Sequence, residues 1–282
     1  MRKEREVKEF YDGWAEEYHL IFADWKQSIE RQGVILTDVI RSQLGNTAET
    51  VLDCTCGIGT QSIGLASHGF RVNATDLSSK AVARAKREAG TFGVSLSCDV
   101  ADIRSLDSVI TDRFDVVLTC DNSICHLLED DDLRSATKQM YARVRPGGLF
   151  LASIRDYDAL KKEADGMAST QQLPGDFKQS AAGLPHATIP RVFDDPEGRR
   201  IVFQVWDWST DGKTYGVNQF CLSGGNADTW TTTYRKSRFR ALLREELNGF
   251  LDGAGFKEIH WHMPEQTGFY QPIVTARASQ RP

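Results

Sequence analysis

Residues 50–60 read Thr50-Val51-Leu52-Asp53-Cys54-Thr55-Cys56-Gly57-Ile58-Gly59-Thr60: a short apolar strand ends in an acid and runs into a glycine turn. A helical run, Gln61 to His68, follows at once. In such a strand–turn–helix unit, glycine admits positive φ and lets a ligand approach the backbone, while the free amides of the helix N-terminus face that ligand. The turn alone is unspecific, because nicotinamide and flavin cofactors use the same device.

Outward from this stretch the alternation repeats. Phe70 to Asp76 reads as a second strand ending in an acid, and Ser78 to Ala89 as a helix capped by Ser78 or Ser79. Ser95 to Asp99 is a third strand, and Phe114 to Cys120, nearly all apolar, a fourth that is buried on both faces. Asp130 to Val144 is helical, and Arg145-Pro146-Gly147-Gly148 turns the chain into a fifth strand, Leu149 to Ile154. The pattern predicts an α/β fold, a mostly parallel Rossmann-like sheet wrapped by helices.

Upstream, the spacing of Val7, Phe10, Trp14 and Tyr18, then of Ile29, Val34, Ile35, Val39 and Ile40, predicts an N-terminal helical cap over residues 1–45. After Tyr157 the alternation stops. Residues 165–190, rich in Gly, Ser, Gln and Pro, read as a loop or lid. Arg200 to Trp208 and Thr214 to Phe220 read as a hairpin about Asp211-Gly212, with a third strand from Trp230 to Tyr234. So small an antiparallel patch does not fold alone, so residues 159–235 are expected to lie as an insertion over the ligand edge of the sheet. The core then comprises residues 46–158 and 236–282, closing with a helix, Phe239 to Leu251, and strands Phe256 to Met263 and Ile273 to Arg277, the last reversed.

Composition narrows the function. The 282 residues are 40% hydrophobic and 26% charged, enough for a sizeable core. No run approaches the ~18 apolar residues of a membrane helix, and the charged start, Met1 to Glu6, lacks the apolar stretch of a secretory signal. With 34 basic and 39 acidic residues there is no polycation for nucleic acid or anionic membrane. Cys54, Cys56, Cys98, Cys120, Cys125 and Cys221 are expected as reduced thiols of a cytoplasmic protein. Cys54 and Cys56 have no second pair at zinc spacing, and His260 and His262 no third ligand, so no metal site is expected. The expected partner is a small-molecule substrate, with neither nucleic acid nor membrane; a homo-oligomer is compatible with the sequence.

Three strand ends carry acids. Asp53 precedes the glycine turn, Asp76 stands 17 residues after Gly59, and Asp99 ends the third strand. Each has a plain structural reading: ordering the turn, capping the helix near Ser78, or sitting in a solvated loop. Together, in this order, they describe an adenosine lying along the sheet's carboxyl edge, with Asp76 on the ribose hydroxyls and Asp99 near the adenine.

With these residues in view, the chain resembles the class I S-adenosylmethionine-dependent methyltransferases, and within them the glycine/sarcosine N-methyltransferase group. The resemblance spans most of residues 7–157. The Asp53 motif belongs to the whole superfamily; Asn122-Ser123-x-x-His126-Leu127 and Arg155-x-Tyr157-Asp158 are narrower. It implies that S-adenosyl-L-methionine is bound, with S-adenosyl-L-homocysteine as product. Tyr11, Tyr18, Asp53, Thr55, Gly57, Gly59, Asp76, Leu77 and Cys120 are implied on the cofactor, with Asp99-Val100 as the adenine-edge pair. Arg31, 22 residues before Asp53, matches the arginine on the methionine carboxylate, although the sequence alone favours an exposed helix arginine. Arg155 is implied on the substrate carboxylate, with Asn122 and Asp121 orienting the amine; the family commonly has glycine where Asp121 stands. His126 matches a histidine near the substrate, and a hydrogen-bonded structural histidine is an equal reading.

Beyond Tyr157 the resemblance weakens, and Trp206, Trp208, Tyr215, Trp230, Tyr234, Phe269 and Tyr270 are expected mainly as packing. The expected chemistry is in-line methyl transfer to the nitrogen of a small carboxylate-bearing amine. The alternatives are a natural-product oxygen or nitrogen acceptor, a nicotinamide-dependent dehydrogenase, and a non-enzymatic adenosine sensor.

Overall fold

The structure is a computed structural model that describes residues 2–168, 184–195, 198–224 and 229–279. Helices α1 (Arg2–Trp14) and α2 (Trp25–Leu44) precede the first strand. The core then runs β1 (Thr50–Asp53), α3 (Thr60–Ser67), β2 (Arg71–Asp76), α4 (Ser79–Thr91), β3 (Leu96–Val100), β4 (Phe114–Thr119), α5 (Asp130–Arg143), β5 (Val144–Ser153) and α6 (Tyr157–Ala168). Four strands follow, the last three of them long: β6 (Arg191–Asp195), β7 (Gly198–Trp208), β8 (Thr214–Gly224) and β9 (Trp230–Arg240). The chain ends with α7 (Arg244–Ala254), β10 (Phe256–His262), α8 (Pro264–Thr267) and β11 (Ile273–Ala278).

Seven strands form one sheet in the order β10-β11-β5-β4-β1-β2-β3. Strand β1 pairs in parallel with β2 and β4, and β11 runs antiparallel to β5, so the expected mostly parallel sheet with a reversed last strand is present. Because β1 has neighbours on both sides and helices cover both faces, Val51 and Leu52 are fully buried, as is nearly all of β4. That burial drives the sheet together and fixes the carboxyl edge where the glycine turn emerges. Helix α2 is laid against α3 by a close glycine crossing: a Cβ on Gly33 would stand 2.8 Å from the Gly64 Cα. Only glycine at both positions lets these backbones meet, and the crossing brings Arg31 and Gln32 beside the turn.

The second sheet has the order β6-β7-β8-β9 and is antiparallel throughout. It is larger than the sequence suggested. Strand β9 continues to Arg240, so the returning helix starts at Arg244, not Phe239, and the boundary expected at 235/236 falls inside a strand. The extension has a local cause, since every residue from Thr214 to Gly224 finds a partner on β9. Helix α6 runs to Ala168, into the stretch read as a loop; most of 165–190 lies outside the described residues. No helix among the described residues is long and apolar enough to cross a membrane.

Candidate active site

Two cavities open at the carboxyl edge of the large sheet, and Tyr11, Tyr18 and Asp121 line both. The first, about 110 Å³, lies over the glycine turn and is walled by Thr55, Gly57, Asp76, Leu77, Ala101 and Ile103, among others. Here the backbone does most of the work. Gly57 sits at φ 51°, with no atom within 4 Å of where a Cβ would stand, so its main chain faces open space. Asp76 fixes the turn by accepting from the Gly57 amide (2.9 Å) and the Ser78 amide (2.8 Å). An ionised carboxylate offers about four acceptor positions, so capacity remains for ligand hydroxyls.

Asp53 is placed differently. It is buried beneath the turn, where Oδ2 accepts from Ser62 at 2.6 Å and Oδ1 from the Thr55 amide at 3.2 Å, and it lines neither cavity. Burial raises its carboxyl to about pKa 7, with the Ser62 and Thr55 hydrogen bonds opposing. Gly59 is also outside the linings: it packs on Ile63 and Ala85 at the start of α3.

The second cavity, about 480 Å³, lies between the large sheet's edge and the antiparallel sheet. Its base is the turn after β4. Asp121 and Asn122 are both left-handed, at φ 58° and 66°, a geometry that costs roughly 1–2 kcal/mol per non-glycine residue. Strand β5 holds the turn in place: Ser153 Oγ accepts from the Asp121 amide (2.9 Å) and Ser153 O from the Asn122 amide (3.0 Å).

Asn122 Oδ1 is used twice, accepting from the Arg155 amide (3.1 Å) and the Tyr157 hydroxyl (3.0 Å). Since Tyr157 spends its one proton there, the 2.8 Å bond between hydroxyls must be donated by Tyr215. This chain fixes the amide and leaves Nδ2 as the free end, buried and without a partner among the described residues. Asn122 was expected to orient the amine; this end is a donor and cannot accept from an ammonium.

Arg155 lines the same cavity, its guanidinium 4.3 Å from the Trp206 ring centroid, with Nη1 buried and unpartnered among the described residues. A desolvated cation over tryptophan gains roughly 2 kcal/mol, which holds the fork in one orientation. Asp121 Oδ1 is likewise buried without a partner among the described residues. Burial raises this carboxyl to about pKa 6, while the Gln61 amide and the Arg155 charge pull the other way. Buried polar atoms are rarely left unsatisfied, so these atoms, with Trp14 Nε1 and Gln32 Nε2 also unpartnered on the same cavity among the described residues, describe a prepared binding site.

His126 forms part of the roof. Its Nδ1 is 3.0 Å from the Arg238 carbonyl, which can only accept, so Nδ1 carries the proton and Nε2 accepts from the Tyr11 hydroxyl at 2.8 Å. Burial lowers the imidazole to about pKa 4, so it is neutral at physiological pH. The ring lies 4.0 Å from that of Phe239, and the contacts tie α1 to β9 above both cavities. Both ring nitrogens are thus hydrogen-bonded, and His126 also lines the first cavity.

The remaining sequence candidates divide. Arg31 is exposed and lines the second cavity beside Gln32, whose buried Nε2 lacks a partner among the described residues. Cys120 is buried and outside both linings. Asp99 and Val100 are exposed and face neither cavity; Ala101 to Arg104 line the first one instead. The reason is that the Ala101 amide still bonds the Asp76 carbonyl (3.1 Å), so the sheet edge extends past the strand end before the chain turns inward. Gln32, Gln61, Trp206, Gln204 and Gln219 are additional wall or support residues. Proximity to Arg31 flags Gln32, and Trp206 is among the aromatics expected mainly as packing, but nothing in the sequence signals Gln61, Gln204 or Gln219.

Residues 51–148 match the family model described as a methyltransferase domain. The chain is 31% identical over 220 residues to the glycine/sarcosine N-methyltransferase of Parasynechococcus marenigrum (strain WH8102), covering 78% of this chain and 71% of that protein. It is 26% identical over 264 residues to the glycine/sarcosine N-methyltransferase of Aphanothece halophytica, covering 93% and 85%. A similar solved structure is S-adenosylmethionine-bound CalS10, an amino pentose methyltransferase from Micromonospora echinaspora, with TM-score 0.69, 18% identity, and coverage of 95% and 97%. At that identity the likeness is one of fold.

Proposed function

The chain belongs to the class I S-adenosylmethionine-dependent methyltransferases, and from that premise we propose that it methylates the nitrogen of a small amine bearing a carboxylate, of the glycine or sarcosine kind. The residues present fit the cofactor. Gly57 opens its backbone onto the first cavity, Asp76 keeps acceptor capacity for the ribose, and Ala101 to Arg104 wall the adenine end. Arg31 and the unpartnered Gln32 amide stand where the methionine carboxylate would be met. When bound, S-adenosyl-L-methionine supplies a sulfonium-activated methyl group, and S-adenosyl-L-homocysteine is the product.

The observation that carries the substrate reading is the pair of orphaned donors, Arg155 Nη1 and Asn122 Nδ2, on one cavity. A guanidinium and an amide N–H together suit a carboxylate, the guanidinium through charge-assisted bonds. Anchored there, the acceptor's amine lies toward Asp121, at the junction of the two cavities. Tyr11, held by His126, and Tyr18 cover the junction and exclude water, so the protein's contribution is alignment and desolvation. A second reading has its own observation: besides the Arg31 and Gln32 end given to the cofactor, the cavity of about 480 Å³ is walled by Thr188, Arg191, Gln204 and Gln219, which favours a larger amine such as an amino sugar.

A labelled-methyl screen of glycine, sarcosine, dimethylglycine and related small amines, with mass analysis, tests the proposal. Methylated amino acids are the expected products. Turnover of amino sugars alone establishes the second reading instead.

A further inference from the structure

The proposed substrate leaves one chemical problem open. At neutral pH an amino acid carries an ammonium, which has no lone pair, so a proton must leave before nitrogen can attack. We propose that Asp121 takes that proton: the enzyme binds its acceptor as a zwitterion between Arg155 and Asp121, and the Asp121 carboxylate is the base that frees the amine.

Three observations meet at this residue. Asp121 lines both cavities, so it stands where acceptor and methyl donor are brought together. Its Oδ1 is buried without a partner among the described residues, an acceptor with nothing yet to accept from. It also occupies left-handed backbone at φ 58°, where glycine would be unstrained, so the side chain is retained at a conformational cost.

The electrostatic surroundings agree. Facing Asp121 are the Arg155 cation, the Gln61 amide, the buried Asp53 carboxyl, the Tyr11 and Tyr18 hydroxyls and the adjacent Cys120 thiol. Burial holds both tyrosines and Cys120 above their ordinary pKa values, so they remain protonated and do not compete for the role. Asp121 itself is raised to about pKa 6, chiefly by burial, which makes it a stronger base than a solvated carboxylate while leaving it ionised at neutral pH.

The step balances. An N–H proton of the ammonium passes to Asp121 Oδ1. The freed lone pair forms the N–C bond to the methyl carbon as the carbon–sulfur bond breaks, with its electron pair going to sulfur. The positive charge ends on the methylated amine, and the Asp121 proton leaves through the open cavity.

This inference rests on an amine acceptor but not on its carboxylate, and the test separates the two. Rates of Asp121→Asn, Asp121→Gly and the wild type are measured from pH 5 to pH 10 with the amine the wild type turns over, whether amino acid or amino sugar. Asparagine tolerates left-handed backbone and glycine relieves it, so at least one variant is expected to fold, as checked by melting and by cofactor titration. Both variants should bind cofactor within about threefold of wild type. At pH 7, kcat/KM should fall by about 100-fold or more, in the range of lost general-base catalysis. The acid limb of kcat/KM, near pH 6 in the wild type, should move up toward the acceptor's own amine pKa. A variant that keeps the wild-type limb and rate overturns the inference, as does a wild type that methylates only hydroxyl groups. Turnover of an amine lacking a carboxylate overturns the proposed substrate class alone and leaves the Asp121 comparison standing.

Discussion

The two cavities meet at Asp121 and are built in opposite ways. The cofactor side is backbone, drawn largely from one continuous stretch: the amides and open face of residues 53–60, fixed by Asp76. The acceptor side is assembled from side chains of distant segments. Asn122 is on the turn after β4, Arg155 follows β5, Trp206 is on β7, and Tyr11 comes from α1. Backbone recognition is insensitive to most substitutions, so it suits a ligand that does not vary. Side chains from such scattered segments can be changed without touching that frame. The chemistry is thus divided between a fixed backbone turn and an adjustable set of side chains drawn from both sheets and α1.

The sharpest way to break this division is Arg155→Ala. The acceptor KM should rise about 100-fold or more, since a charged hydrogen-bonding partner is worth roughly 3 kcal/mol, while cofactor affinity by calorimetry stays within about threefold. Asp76→Asn is the mirror experiment: cofactor affinity should weaken about tenfold with acceptor KM little changed, because the glycine turn loses its charged acceptor. Trp206→Ala removes the ring beneath Arg155, and acceptor KM should rise about tenfold, matching a cation–π contribution of 1–2 kcal/mol.

Smaller effects probe the scaffold. Tyr11→Phe deletes the bond to His126 and should lower the melting temperature by about 2–4 °C, for a bond of about 1 kcal/mol. Asp53 adds a pH signature. Its folded pKa, about 7, lies above its unfolded value, so its contribution to stability is present at acid pH and lost as pH rises through 7. Melting of the ligand-free protein should therefore show a decline toward neutral pH that Asp53→Asn flattens.

How much of this was legible in the sequence follows the same division. Eleven consecutive residues encode the strand, the turn and the helix start, and the acids at strand ends follow from alternation, so the sheet and the cofactor edge could be read directly. The adenine end was expected at Asp99–Val100, yet Ala101–Arg104 line the first cavity in their place, because a sheet edge extended by one backbone bond moves the inward turn past the last apolar residue. Asp53 carries the expected motif but works from beneath the turn, a distinction only burial reveals. Trp206 was read mainly as packing, and Gln204 and Gln219 gave no signal. They share a face because β7 and β8 pair Gln204 with Gln219 and Trp206 with Val217, and cross-strand register is a long-range fact. Asn122 was recognised as a site residue, yet its polarity was settled by the Arg155 amide and the Tyr157 hydroxyl, neither of which is implied by its own neighbours.

The most direct test uses two acceptors that differ at one end only, glycine and glycinamide, with labelled methyl donor and mass detection of N-methylated product. The account predicts efficient methylation of glycine and at least tenfold slower methylation of glycinamide, a gap that closes in Arg155→Ala. Equal rates for the two acceptors in the wild-type protein would contradict a carboxylate held by Arg155 and Asn122.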